Sequence, residues 1–213
     1  MNILEGAKEF RIPKVIYSNS ISVYGSKPHR GNREVSETES AAPQDIYGAA
    51  KRYVEILGDA YCQQFGIQFV ALRISTVIGP GAVDTSSRWR SEIFEKLGLP
   101  NETEVWIPYK DDQAVPFVHV DDVADMIERL VDWGQCSFSV YNAPSETWIL
   151  KKMAEYIESL DKKIRITFGE SDVSGIPGAI NGQRFTTEFG YALTSVRERF
   201  RQQVQLRREP TGL

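Results

Sequence analysis

Cysteine and histidine are nearly missing from this chain. Cys62, Cys136, His29 and His119 are the whole supply in 213 residues. Two cysteines cannot build a disulfide scaffold or a Cys-rich zinc site, and two histidines remove most of the remaining ligand sets, so no metal is expected. Long apolar runs are lacking too. The opening MNILEGAKEF is charged and amphipathic, with neither the apolar stretch of a signal peptide nor a membrane span, which reads as a cytoplasmic chain with no membrane partner. There is no excess of positive charge: 25 Lys and Arg against 29 Asp and Glu leave a net charge of −4. That balance excludes a generic attraction to nucleic acid or anionic lipid. The basic run Arg197, Arg199, Arg201, Arg207, Arg208 is interleaved with Gln and Glu and reads as a solvated helix face. Internal repeats, low-complexity tracts and clear linkers are also absent.

What remains is ordinary globular material. With 41% hydrophobic and 25% charged residues, the chain suits one soluble domain, or a domain with a small appendage, that buries a real core. Ile3, Leu4, Ala7 and Phe10 stand at helical spacing, and Val15-Ile16-Tyr17 form a brief β-prone run ending in Ser18-Asn19-Ser20. Residues 25 to 45 read as a long loop. Tyr47 to Phe65 is a helical pattern with Tyr53, Ile56, Leu57, Ala60 and Tyr61 along its expected inner face and Gly66 as its stop. Phe69 to Ile74 has the apolar character of a strand buried on both faces of a parallel sheet.

Further on, a helix is expected over Ser87 to Leu97 and a strand at Val105-Trp106-Ile107. Val115 to Val120 is a short apolar stretch, followed by a helix capped by Asp121 or Asp122. A strand at Ser139 to Asn142, a helix over Thr147 to Leu160, a strand at Ile164 to Phe168 and a basic C-terminal helix complete the pattern. Alternation of strands and helices argues for an α/β fold with a parallel sheet.

The strongest chemical signal is Tyr47-Gly-Ala-Ala-Lys51. Spacing i, i+4 stacks the phenol and the ammonium one turn apart on one helix face. A cation there favours phenolate over phenol, which makes a tyrosine usable as a general acid or base near neutral pH. Alone the pair is weak; its context carries the weight. Ser18-Asn19-Ser20-Ile21-Ser22-Val23-Tyr24-Gly25 precedes it. Leu72-Arg73-Ile74-Ser75-Thr76-Val77-Ile78-Gly79-Pro80-Gly81 and Phe117-Val118-His119-Val120-Asp121-Asp122-Val123-Ala124 follow.

In order and spacing these blocks resemble the extended short-chain dehydrogenases/reductases of the NAD-dependent epimerase/dehydratase kind, over essentially the whole chain. The resemblance implies an incomplete Rossmann-like, doubly wound parallel sheet with a small C-terminal substrate-binding lobe. Residues 1–78 would form a partial Rossmann core, and residues 79–213 would interleave the remaining core strands with the lobe. It implies Tyr47 as acid/base, Lys51 as the group that holds the nicotinamide ribose and tunes the tyrosine, and Ser20 as the hydroxyl bonded to the reacting oxygen. Ser22, Thr76 and either Arg88 or Arg90 would stand on the substrate side. His119, Asp121, Asp122 and Arg73 read as structural, the arginine because a buried cation needs a partner.

Two departures qualify the resemblance. The family's strand, G-x-x-G-x-x-G and helix, on which the dinucleotide pyrophosphate rests, occurs nowhere here, so NAD or NADP binding is expected to be weak. The arginine that grips a diphosphate two residues before the aromatic of F-V-H-V is replaced by Val115, and an asparagine after the Leu-Arg strand by Thr76. Three functions stay open: a sugar or nucleotide-sugar epimerase in a truncated, poorly active form; a non-catalytic substrate-binding or oligomerisation module; and an NAD-dependent dehydrogenase of a small non-nucleotide hydroxy compound. An exposed strand edge where the missing strands would lie predicts a homo-oligomer.

Overall fold

The computed structural model describes residues 2–26, 33–82 and 87–208; His29 and the middle of the long loop lie outside them. The chain runs α1 (Asn2–Glu9), β1 (Lys14–Ser20), a 3₁₀ turn (Ile21–Tyr24), α2 (Ile46–Phe65), β2 (Gln68–Ile74), β3 (Thr76–Ile78), α3 (Trp89–Lys96) and β4 (Thr103–Tyr109). It continues through β5 (Ala114–His119), α4 (Val120–Asp132), β6 (Val140–Asn142), β7 (Glu146–Ile149), α5 (Leu150–Leu160), β8 (Ile164–Ser171), α6 (Gln183–Phe189) and α7 (Val196–Arg208).

The central sheet has the order β1-β2-β6 and is wholly parallel, with Lys14 opposite Gln68 through Ser20 opposite Ile74. The expected pairing of the first two strands is therefore found. Side chains alternate across a strand, and here the alternation divides the core. Phe69 and Ala71 pack with Leu4 of α1 and with Leu57 and Tyr61 of α2. Val70, Leu72 and Ile74 pack with Met126 and Leu130 of α4 and with Phe185 and Phe189 of α6. Helices on both faces make this a doubly wound α/β sheet. Among the described residues β1 pairs only with β2, so its other edge is open.

Beside this sheet lie β3-β5-β7, with β3 and β5 parallel and β7 antiparallel to β5, and the two-stranded parallel pair β4-β8. A second core of Phe94, Leu97, Val105, Ile107, Phe117, Leu150, Ile157 and Phe200 fills the space between them and α3, α5 and α7.

Several elements differ from the sequence pattern. Of the apolar face expected on α2, Leu57 and Tyr61 pack against the sheet, whereas Tyr53, Ile56 and Ala60 are exposed and the fully buried positions are Gly48, Glu55 and Gly58. A Cβ at Gly58 would lie 2.2 Å from the Phe69 ring, so only glycine lets the helix come this close to β2. Residues 146–149 are a strand instead of the first turn of a helix. Thr147, Trp148 and Ile149 are strong strand formers, and β5 offers them an edge. Helix α4 starts at Val120, so its cap is His119 and not Asp121 or Asp122. In the C-terminal basic run Arg197, Arg201 and Arg207 are exposed, as a solvated helix face requires, while Arg199 pairs with Asp122 at 2.9 Å and the next residue, Phe200, is fully buried. Strand β3 and helix α6 have no counterpart in the sequence reading.

One buried polar network ties the central elements together. Arg73 Nε and Nη2 donate to the two oxygens of Glu55 at 2.7 and 2.8 Å, and Nη1 donates to the Tyr24 hydroxyl at 2.6 Å. Tyr24 donates to Asn142 Oδ1 at 2.8 Å, and Asn142 Nδ2 donates to the carbonyls of Val35 and Asn181, each at 3.0 Å. Asn19 Nδ2 also donates to Glu55. The expectation that Arg73 is structural and paired is met in full. Removing one member strands a buried charge, so Glu55→Gln and Arg73→Ala should each cost about 3–5 kcal/mol of stability, read from urea unfolding. The double variant should cost clearly less than the sum. Additive losses would show that the two residues do not act as a pair.

Candidate active site

In open parallel α/β sheets, ligands bind beyond the carboxyl ends of the strands. A cavity of about 650 Å³ opens there, lined by Ser18, Asn19 and Ser20 from the end of β1 and by Ile74, Ser75 and Thr76 after β2. Ser22, Asp45 and Tyr47 close one side of it, and Trp89, Arg90, Tyr109, Val115 and Ser174 another. Its volume is that of a small-molecule site.

Tyr47 enters because α2 starts beside the 3₁₀ turn. Asp45 caps the helix, its Oδ1 accepting from Gly48 N at 2.6 Å. Gly48 sits against the Ser22 carbonyl so closely that a Cβ would lie 2.5 Å from that oxygen. Tyr47 is 56% exposed, toward the cavity mouth. Lys51 Nζ stands 5.5 Å from the Tyr47 ring centroid and 4.8 Å from that of Tyr17, and donates to the Ser18 carbonyl at 2.7 Å. Burial lowers the Lys51 pKa below that of a free lysine. Ser20 Oγ donates to Ser22 Oγ at 3.0 Å and accepts from Ser22 N at 3.1 Å, so its position is fixed by its own turn.

Of the residues singled out from sequence, the cavity gathers Ser20, Ser22, Tyr47, Thr76 and Arg90, with Lys51 immediately behind the tyrosine. Arg88 stands apart, ion-paired with Glu92 at 3.3 Å and Glu95 at 3.1 Å and outside the lining. Val115 is buried in the wall, where it pairs with Trp148 across β5 and β7. Asn19, Asp45, Trp89 and Tyr109 also line the site, and none was picked out from sequence. Asp45 was the legible one, as a helix cap three residues before Gly48. The others depend on which strands end at the cavity.

His119 is buried below the site, its Nδ1 accepting from Asp121 N at 3.3 Å and its ring 5.0 Å from that of Phe94. Burial lowers its pKa below the ordinary 6.5, with Asp121 and Asp122 working against that and Arg199 with it. Below about pH 6.5 the unfolded chain takes up a proton that the folded chain resists. Stability should therefore fall as pH drops through that value, and this residue adds nothing above it. His119→Asn keeps an acceptor at the cap and should flatten the fall, measured as urea midpoints between about pH 5 and 7.

The placement of Tyr47 rests on a missing Cβ. Gly48→Ala forces the first turn of α2 away from Ser22, and thermal melts should show it destabilised. Gly6→Ala, on the exposed helix α1 with open space around it, should gain stability by about 0.5–1 kcal/mol from helix propensity. Equal effects at the two positions would mean that the close approach carries no weight.

A doubly wound sheet with a Tyr-x-x-x-Lys helix and a serine strand facing one cavity defines the Rossmann-like class of the extended short-chain dehydrogenases/reductases. The model of the NAD dependent epimerase/dehydratase family matches residues 1–143, and the chain belongs to that family. It is 26% identical over 184 residues to protein CapI of Staphylococcus aureus, covering 77% of this chain and 52% of that protein. It is also 26% identical over 183 residues to a dTDP-4-dehydro-6-deoxy-D-allose reductase of Streptomyces sp, covering 84% and 56%. The chain thus spans about half the length of these relatives. The crystal structure of L-threonine dehydrogenase from Phytophthora infestans shares the fold, with TM-score 0.83 at 19% identity over 96% of this chain and 69% of that one.

Proposed function

We propose that this chain carries the acid/base and substrate-side half of an NAD-linked sugar or nucleotide-sugar epimerase. The observation that carries the reading is the convergence of Tyr47 and Ser20 on one cavity at the carboxyl end of the sheet, with Lys51 against the far side of the tyrosine ring. The family description and the Streptomyces reductase, named for a dTDP-sugar, favour hydride chemistry on such a substrate.

The cofactor fits this chain at one end only. Tyr47 and Lys51 would hold the nicotinamide ribose, Lys51 with the two protons left after its bond to Ser18. The Gly-x-x-Gly-x-x-Gly turn from strand to helix that would receive the pyrophosphate does not occur in this sequence. Bound there, NAD would supply the hydride acceptor for a carbinol carbon and the hydride donor for the corresponding ketone. Tyr47 removes the hydroxyl proton as the hydride leaves and restores it on return. Lys51 stabilises the phenolate in between. Ser20 exchanges its bond to Ser22 for one to the reacting oxygen, swapping one neutral hydrogen bond for another.

Assembly belongs to the same reading. Ile3, Phe10, Ile12, Tyr53 and Ile56 are exposed on the outer layer of α1, α2 and the segment leading into β1. Together with the open edge of β1 they make a surface suited to a second copy of the chain.

Tyr47→Phe should lower NAD-dependent turnover of a substrate by about 10²–10⁴-fold while the fold, followed by circular dichroism, is unchanged. Calorimetry should detect NAD only near millimolar concentration, and light scattering should find a dimer or larger. A monomer that binds NAD at micromolar concentration would overturn the half-site reading. Full turnover by the phenylalanine variant would remove Tyr47 from the chemistry.

A further inference from the structure

Lys51 is held by more than its helix. The side chain is half-buried, and its one hydrogen bond among the described residues goes to the Ser18 carbonyl at 2.7 Å. It forms no ion pair among them. Glu55, one turn further along α2, is taken up by Arg52, Arg73 and Asn19. The ammonium instead lies over two aromatic faces, 5.5 Å from the Tyr47 ring centroid and 4.8 Å from that of Tyr17. Both distances are within the range at which a ring face attracts a cation. The nearer ring is the one with no part in the hydride step.

Tyr17 stands at the middle of β1 and points, like Val15, to the face of the sheet that α1 and α2 cover. Its ring stacks on that of Phe69, centroids 6.1 Å apart with 29° between the planes. Phe69 is itself buried and pressed against Gly58 of α2. The ring beneath the ammonium is therefore seated by the same glycine contact that brings α2 to the sheet. Tyr17 does not line the cavity, and its hydroxyl makes no hydrogen bond among the described residues. Burial raises its pKa, and Tyr47 and Glu55 add to the effect, so it stays a neutral phenol. It is no second base. What it offers Lys51 is its ring face.

Lysine carries a compact charge on a flexible four-carbon stem, so one bond to a carbonyl leaves it free to swing. Ring faces on two further sides remove that freedom and favour the charged form, against the burial that disfavours it. We propose that Tyr17 is a positioning residue for Lys51: its ring, the Tyr47 ring and the Ser18 carbonyl form a three-sided clamp that keeps the ammonium charged and fixed behind the reacting phenol. This deepens the epimerase reading by adding a third member to the tyrosine–lysine pair, and it rests on Lys51 having the role given above.

NMR on the chain without cofactor tests the clamp. Lysine labelled with carbon-13, with the Lys51 signal assigned through Lys51→Arg, reports the Lys51 titration and the ring-current shift of its terminal methylene. Tyr17→Phe keeps the ring and should leave both readings close to their starting values. Placing 4-fluorophenylalanine and then pentafluorophenylalanine at position 17 keeps the shape while weakening the negative ring face. The Lys51 midpoint should fall stepwise, by about half a unit to one unit over the series. Pentafluorophenylalanine at position 53, exposed on the outer side of α2, should leave it unmoved. Tyr17→Leu should remove much of the upfield shift of the methylene. A ring that only fills space predicts no trend with fluorination, so a flat series would overturn the proposal, even if it ended at the singly fluorinated ring because the pentafluoro variant failed to fold. A Lys51 methylene with no upfield shift would overturn it too. A chain whose Lys51 follows the series but turns over no sugar with NAD would strike the epimerase reading and leave the clamp standing.

Discussion

The bidentate pairing of Glu55 with Arg73 is the constraint on which the site depends. It joins the middle of α2 to the end of β2, at the level where the strands stop and the cavity begins. Arg73 reaches on to Tyr24 at the end of the 3₁₀ turn, and Tyr24 to Asn142 on β6. A carboxylate buried in a helix–sheet interface would be costly alone. Here it accepts four hydrogen bonds from Arg52, Arg73 and Asn19, so it fixes the rotation of α2 about its own axis. That rotation determines which side Tyr47 and Lys51 face, two turns and one turn earlier in the helix. Gly58 and Gly48 set the distance of the helix from the sheet, and the ion pair sets its angle.

This arrangement explains why the helical pattern of α2 was misleading while its chemistry was not. Tyr53, Ile56 and Ala60 fall at helical spacing and have the composition of an inner face, yet they point outward. Leu57 and Tyr61 do pack against the sheet, but the fully buried positions are two glycines and a glutamate, which no hydrophobicity pattern would select. Tyr47 and Lys51 were legible because i, i+4 geometry follows from the helix alone. Strand β2 was legible because all of its side chains from Phe69 to Ile74 are buried, giving a continuous apolar run. Strand β7 was not, since its four residues run without a break into α5 and only the edge of β5 makes them extended. Trp89 escaped assignment for a related reason, and Arg90 was legible only as an alternative to Arg88. They lie in a helix far along the chain, and their membership in the site follows from where β2, β3 and β4 bring that helix.

The two halves of the site differ in what holds them. The acid/base side is rigid by construction: a capped helix, a close glycine contact and a serine turn bonded to itself. The substrate wall is assembled from α3, β4, β5 and the segment after β8, whose core of Phe94, Val105, Phe117 and Ile166 is separate from that of the central sheet. Val115 belongs to that second core as well as to the cavity lining. Its small apolar side chain leaves this part of the wall without a charge or a hydrogen-bonding group.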